Sequence, residues 1–137
     1  MSFEHERVAI EGRFAANYTA TPIKYANKKF EPPKTTAWVA LTILTGIGRQ
    51  ASLGASNPLH RFTGVIQIDV FAPEDTGTAT ARGHADTIGD IYRRQQFSYS
   101  SSGTITCDTP YITDRGIENG WHRLVVSIPY RRDVHLA

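Results

Sequence analysis

Cysteine is almost missing. In 137 residues there is one, Cys107, which excludes an internal disulfide and a zinc site built from several thiolates. A charge excess of either sign is missing too. Lys and Arg number 15 against 13 Asp and Glu, and a net charge of +2 demands neither nucleic acid nor an anionic membrane as partner. No apolar run approaches the ~20 residues of a membrane-spanning helix. The start, MSFEHERVAI, carries acids where a secretion signal carries bases. These absences predict a soluble protein made in a reducing cytoplasm. With no internal repeat and no linker, residues 1–137 read as one domain, large enough to bury roughly two-thirds of the unfolded surface.

Recognisable catalytic motifs are also lacking. The stretch HRFTGVIQIDVFAPEDTGTATARGHADTIGDIY (60–92) has the strand, turn and helix layout of a phosphate-binding loop. A P-loop, however, needs GxxxxGK followed by Ser or Thr, and no lysine lies between Gly77 and Gly83. The dinucleotide pattern GxGxxG is absent, and Glu74 and Asp75 would repel a phosphate. His5, His60, His84, His122 and His135 are scattered without metal-ligand spacing, so no metal or cofactor is expected. Cys107 follows Ile105 at strand period, which reads as a buried thiol rather than a nucleophile.

What the chain does have is β-branched and aromatic periodicity. SFEHERVAIEGRFAANY (2–18) reads as a helix with Ser2 as cap and Glu4 and Glu6 at its positive end. A short extended piece surrounds Ile23 and Tyr25, and Pro32-Pro33 interrupts regular structure after it. Residues 36–47, TAWVALTILTGI, form a strand with apolar residues on both parities, which predicts that both faces are covered. GRQASLGASNPLH reads as a long loop, with room for a brief strand near Ser52 and Leu53. Residues 61–71 alternate as a strand that places Gln67 and Asp69 on one face.

From Asp75 to Arg94 the period changes to 3.6, with Ala81, Ala85, Ile88 and Tyr92 as the stripe and Asp75 or Thr76 as cap. QFSYSS, GTITCDT and GWHRLVVSIPYRRD read as strands, and PYITDRGIENG as a polar hairpin-like loop. Pro129 inside the last strand predicts a sheet edge or a bulge. The order α-β-β-β-α-β-β-β predicts an α+β fold: a mixed, mainly antiparallel sheet with two helices packed on one side.

Four segments then carry a resemblance. TPIKYANKKFEPPK, AWVALTILTG, the 60–92 stretch and GWHRLVVSIPYRRD together resemble the tail terminator proteins of long-tailed bacteriophages and prophages, of the lambda U type. The likeness runs from about residue 20 to 133 and lies in the order and spacing of the segments, since none is a catalytic motif. It implies a structural virion protein without enzymatic activity or cofactor. Such proteins form a hexameric ring on the head-proximal end of the tail tube. The ring ends tube polymerisation and offers its other face to neck and head-completion proteins, while phage DNA passes through without sequence-specific binding. Assembly takes place in the host cytoplasm, with no membrane involved.

A closed ring needs two unlike lateral surfaces on each subunit. Arg49, Gln50, Arg61, Glu74 and Asp75 are the expected contributors to subunit or tube contacts, whereas Trp38, Gly64, Ile68 and Trp121 read as scaffold. Two other readings stay open at this stage. One is a neck or head-completion adaptor of the same machine. The other is a small nucleic-acid-binding module, for which Lys24, Lys28 and Lys29 near Tyr25 and Phe30, and Arg93 and Arg94 before Phe97 and Tyr99, supply basic and aromatic residues.

Overall fold

A computed structural model describes residues 3–54 and 56–136. The element order is α1 (Phe3–Asn17), β1 (Ile23–Tyr25), β2 (Trp38–Gln50), β3 (Leu59–Pro73), α2 (Ala79–Tyr92), β4 (Gln96–Phe97), β5 (Thr104–Cys107), β6 (Tyr111–Glu118) and β7 (Trp121–His135). The seven strands form one mixed sheet, antiparallel at every junction except β1 with β2. The α+β architecture expected from the sequence is therefore the one observed. It gains one strand, β6, and a 3-10 turn at Ser100–Ser102 where QFSYSS was expected to continue as strand.

The long strands β3 and β7 pair along their whole length, from Leu59 opposite His135 to Pro73 opposite Trp121. Period-two alternation decides what they bury. Ile66, Ile68 and Val70 face α1 and α2 beside Ile128, Val126 and Leu124, and all six are buried. From α1 come Ala9, Ile10 and Phe14; from α2 the whole predicted stripe, Ala81, Ala85, Ile88 and Tyr92, is buried. Each fully buried aliphatic or aromatic side chain of this cluster contributes about 1.5–3 kcal/mol. A smaller aromatic group holds the opposite face: Trp38 stacks on Phe71 with centroids 4.1 Å apart, and Trp121 meets Trp38 edge-on at 6.0 Å. Trp38, Trp121 and Ile68 are scaffold, as read from the sequence. Gly64 joins them, because a Cβ there would stand 2.7 Å from the Leu44 carbonyl oxygen and from the Tyr130 hydroxyl.

Several expectations change. Helix α2 begins at Ala79, with Thr78 as the N-cap residue and no side-chain cap bond. Asp75 cannot cap it, since its φ of 68° places it in the left-handed region of a preceding turn. Thr76 donates its hydroxyl to the Pro73 carbonyl at 2.7 Å instead. The loop expected over residues 48–60 is shorter: Gly48 to Gln50 belong to β2, Leu59 and His60 to β3, and no strand forms at Ser52 or Leu53. Strand β2 is covered on both faces only at its start. Trp38, Val39 and Leu41 are buried, but Leu44 and Ile47 are exposed.

The polar segment 110–120 is strand β6 and its turn rather than a loop. Asn119 (φ 54°) and Gly120 (φ 81°) make a two-residue turn between the paired Glu118 and Trp121. Two consecutive positive φ values match the twist of the flanking strands, and Asn-Gly is the sequence that tolerates them. Pro129 lies at neither an edge nor a bulge. On the side of β7 away from β3, β6 covers Trp121–Ser127 and β5 covers Tyr130–Asp133, and Pro129 falls between them. Its carbonyl accepts from the Asp108 N–H at 2.8 Å, so its nitrogen points to the same join and no ladder bond is lost. The expected cap Ser2 lies outside the described residues.

Candidate assembly surfaces

The five expected contact residues divide between the two ends of β3. Arg49 stands opposite Arg61, and Gln50 opposite His60, where β2 and β3 run out together with the end of β7 as a three-stranded arm. Glu74 and Asp75 occupy the turn beyond Pro73. A strand of 15 residues separates the groups by up to roughly 45 Å. The structure thus brings together Arg49, Gln50 and Arg61, brings together Glu74 and Asp75, and keeps the two sets apart.

At the arm, two arginines face each other across neighbouring strands, a repulsive pairing when left alone. Asp133 on β7 lies directly opposite Arg61 and relieves it. Arg61 donates from Nε at 2.7 Å and from Nη2 at 3.0 Å to the two carboxylate oxygens. The fork holds the Asp133 carboxyl below its ordinary pKa, chiefly through these hydrogen bonds and with help from the Arg61 charge. Arg61 is therefore committed within its own chain, whereas Arg49 is exposed. The tip is held by two local bonds, Ala51 N–H to the Leu59 carbonyl at 2.7 Å and Gln50 Nε2 to the Ser52 carbonyl at 2.8 Å, and by a long-range one from Leu136 N–H to the Pro58 carbonyl at 3.2 Å. Ile47 is 75% exposed and Leu53 93%, the arm's apolar side chains standing in solvent.

At the other end, the Glu74 N–H donates to the Gly120 carbonyl at 3.0 Å, tying the β3–α2 turn to the β6–β7 turn. Asp75, Asp114, Ile117 and His122 border a hollow of about 480 Å³. His122 Nε2 lies 3.0 Å from the Asp114 carboxylate, which also accepts the Gly116 N–H and is held below its ordinary pKa mainly by that backbone bond. The hollow is acidic, the wrong sign for a phosphate.

Two of the groups considered for chemistry, Cys107 and His84, pack within the fold. Cys107 is buried in β5, and desolvation pushes its thiol up to about 12, leaving little thiolate at neutral pH. His84, on α2, meets Tyr18 edge-on, and burial lowers its pKa. Among the described residues no three His, Cys, Asp or Glu side chains gather as metal ligands, and no helix is long and apolar enough to cross a membrane. Gln67 and Asp69 do share a face, joined at 3.2 Å, with Arg123 donating to Asp69 at 2.9 Å.

Sequence reasoning missed two features. Strand β6 exposes Tyr111, Ile112 and Ile117 along an unpaired margin; the Asn119-Gly120 turn was the available signal. Glu6, assigned to the helix terminus, is instead 3% exposed and accepts the Tyr130 hydroxyl at 2.7 Å, with Arg132 Nε 3.5 Å away. Arg132 is fully buried, donates to the Ser102 carbonyl at 2.9 Å, and lies over the rings of Phe62 and Phe3. No pattern in the sequence distinguishes Glu6 from Glu4.

The fold is a curled, mixed and mostly antiparallel sheet backed by two helices on one side, with exposed apolar margins and an arm. A family model for phage tail terminator proteins matches residues 7–130. The chain belongs to the phage tail terminator family, a family of structural virion proteins. One solved structure, known only by a sequence label, superposes with a TM-score of 0.74 over 100% of this chain and 98% of its own, at 22% identity. At that identity the likeness concerns the fold. No curated protein matches the chain.

Proposed function

We propose that the protein forms a ring, hexameric in its family's manner, on the head-proximal end of the tail tube. The ring stops tube polymerisation and presents its far side for head joining. Family membership supports a tail role. The observation that carries the finer reading is the separation of Arg49 and Gln50 from Glu74 and Asp75 by the length of β3. One subunit thereby offers two end surfaces of unlike charge, one to the tube and the other to the neck, and a tube subunit arriving at the capped end meets no copy of the surface it needs. Termination is then a matter of shape, and DNA crosses the opening without base contacts.

The test is electron microscopy of purified protein mixed with tail tubes. Rings at one end of each tube, together with arrested elongation, are the expected result. Protein bound to isolated necks but never to bare tube ends would replace the terminator reading with that of a neck adaptor.

A further inference from the structure

We infer that neighbouring copies join by sheet extension, with the free edge of β6 in one subunit adding to the free edge of β2 in the next. The inference rests on the ring reading above and names the surfaces that close it. Strand β1 covers only Val39–Leu41 of β2, so residues 42–50 keep an open outer edge. Among the described residues strand β6 pairs with β7 alone, so its outer edge is open over Tyr111–Glu118. Exposed edges of this length invite another chain, and proteins that must stay apart blunt them with charged side chains, Lys above all, with Pro or with bulges. Neither TILTGIGRQ (42–50) nor YITDRGIE (111–118) contains Lys or Pro, and each has one register shift, between Thr45 and Gly48 and between Asp114 and Ile117. Both carry exposed apolar side chains, Leu44 and Ile47 on one edge and Tyr111, Ile112 and Ile117 on the other.

Strand direction, charge and side-chain facing all favour this pair. From margin to margin the order is β2, β3, β7, β6, antiparallel at every step. Four alternating strands leave the two margins running in opposite directions. A copy rotated about a ring axis therefore presents β6 to β2 antiparallel, without inversion. Residues 111–118 hold Asp114, Arg115 and Glu118, a net −1, while residues 42–50 hold only Arg49, a net +1.

Ile112 and Ile117 lie opposite Val126 and His122, on the helix side of the sheet, the same side as Ile43 and Thr45 of β2. Beside Ile43 and Thr45 a groove of about 370 Å³ opens against Phe3 and Glu6 of α1, where the incoming isoleucines would lodge. The two edges are staggered. Strand β6 spans the height of residues 67–73 of β3, and the open part of β2 that of residues 60–67. The mid-to-mid offset is about 20 Å against about 19 Å for four strand spacings. Strands inclined by about 45° to the ring axis result, close to the tilt that closed sheets adopt.

A head-to-tail contact of this kind has a distinctive test. In the full chain, Ile47→Lys disables the β2 edge and leaves β6, and Ile117→Lys does the reverse. Ile47 and Ile117 are 75% and 64% exposed, so both variants should keep the thermal midpoint of the unaltered protein. Light scattering after gel filtration is expected to show loss of assembly in each variant alone. Their mixture should give a 1:1 dimer through the two intact edges and nothing larger. If either variant alone assembles normally, or the mixture yields no dimer while the unaltered chain still forms rings, the edge assignment is wrong and the ring stands. If the unaltered chain stays monomeric at every concentration and on tube ends, the ring reading falls and the edge pairing with it.

Discussion

At the scale of single residues, the least replaceable group is Arg132. It is fully buried, and its charge is answered by Glu6 on α1 and by the Ser102 carbonyl. Removing one member of such a pair leaves the other charge uncompensated, which costs more than the pair contributes when intact. Arg132→Met should lower stability by about 3 kcal/mol in urea unfolding. The double variant with Glu6→Gln should lose less than the sum of the two single changes; strict additivity would show that the pair is not coupled.

A second residue-scale expectation concerns alkali. Burial pushes Cys107 up to about 12 and raises Tyr92 and Tyr130 above the ordinary phenol value. The unfolded chain ionises first, so the stability these groups contribute is complete below about pH 9 and is lost as pH rises toward 12. Urea midpoints measured at pH 8, 10 and 11 should fall, with a shallower fall in Cys107→Ala. A midpoint constant to pH 11 would contradict the assignment.

At the scale of elements, legibility followed the purity of each periodic signal. Ile66, Ile68 and Val70 alternate cleanly and α2 carries an unbroken stripe, and both were found where expected. Strand β6 was missed because YITDRGIE interrupts its apolar residues with acids, an arginine and Gly116 at a register shift. What makes it a strand is the neighbour β7, which no local window contains. The start of α2 was placed early because Asp75 and Thr76 have cap chemistry, but the turn needs Asp75 at positive φ.

Two substitutions probe the elements. Gly64→Ala forces a Cβ against the Leu44 carbonyl and the Tyr130 hydroxyl, and should cost about 1–3 kcal/mol in thermal or urea unfolding. Gly120→Val at φ 81° should cost about 1–3 kcal/mol and loosen β6, visible as faster amide exchange at Tyr111–Glu118 with β3 unaffected. Equal acceleration in β3 would mean that β6 is not a separable unit.

At the scale of the whole molecule, the two ends of β3 should be functionally separable. Leu53→Lys, at the tip beyond β2, and Glu74→Lys change exposed residues and should leave the fold intact. Each is expected to impair one step only, tube-end binding or head joining, when tails assembled with each variant are scored for length and for attachment to filled heads in vitro. Loss of both steps from either substitution would argue that the ends do not serve different partners.

The sequence alone determined the elements whose signal is local: the alternation of β3, the existence of β7 as a strand, the buried face of α2, the α+β class, and the family to which four ordered segments point. Local chemistry suffices there, because side-chain period and turn preference act within a few residues. Tertiary structure decided everything that depends on which strand lies beside which. It buried Glu6 against Arg132, placed Pro129 at the join of β5 and β6, and set the expected contact residues at opposite ends of one strand. It also left β2 and β6 as open margins running in opposite directions, because hydrogen-bond pairing in a sheet is a long-range choice that only the folded chain makes.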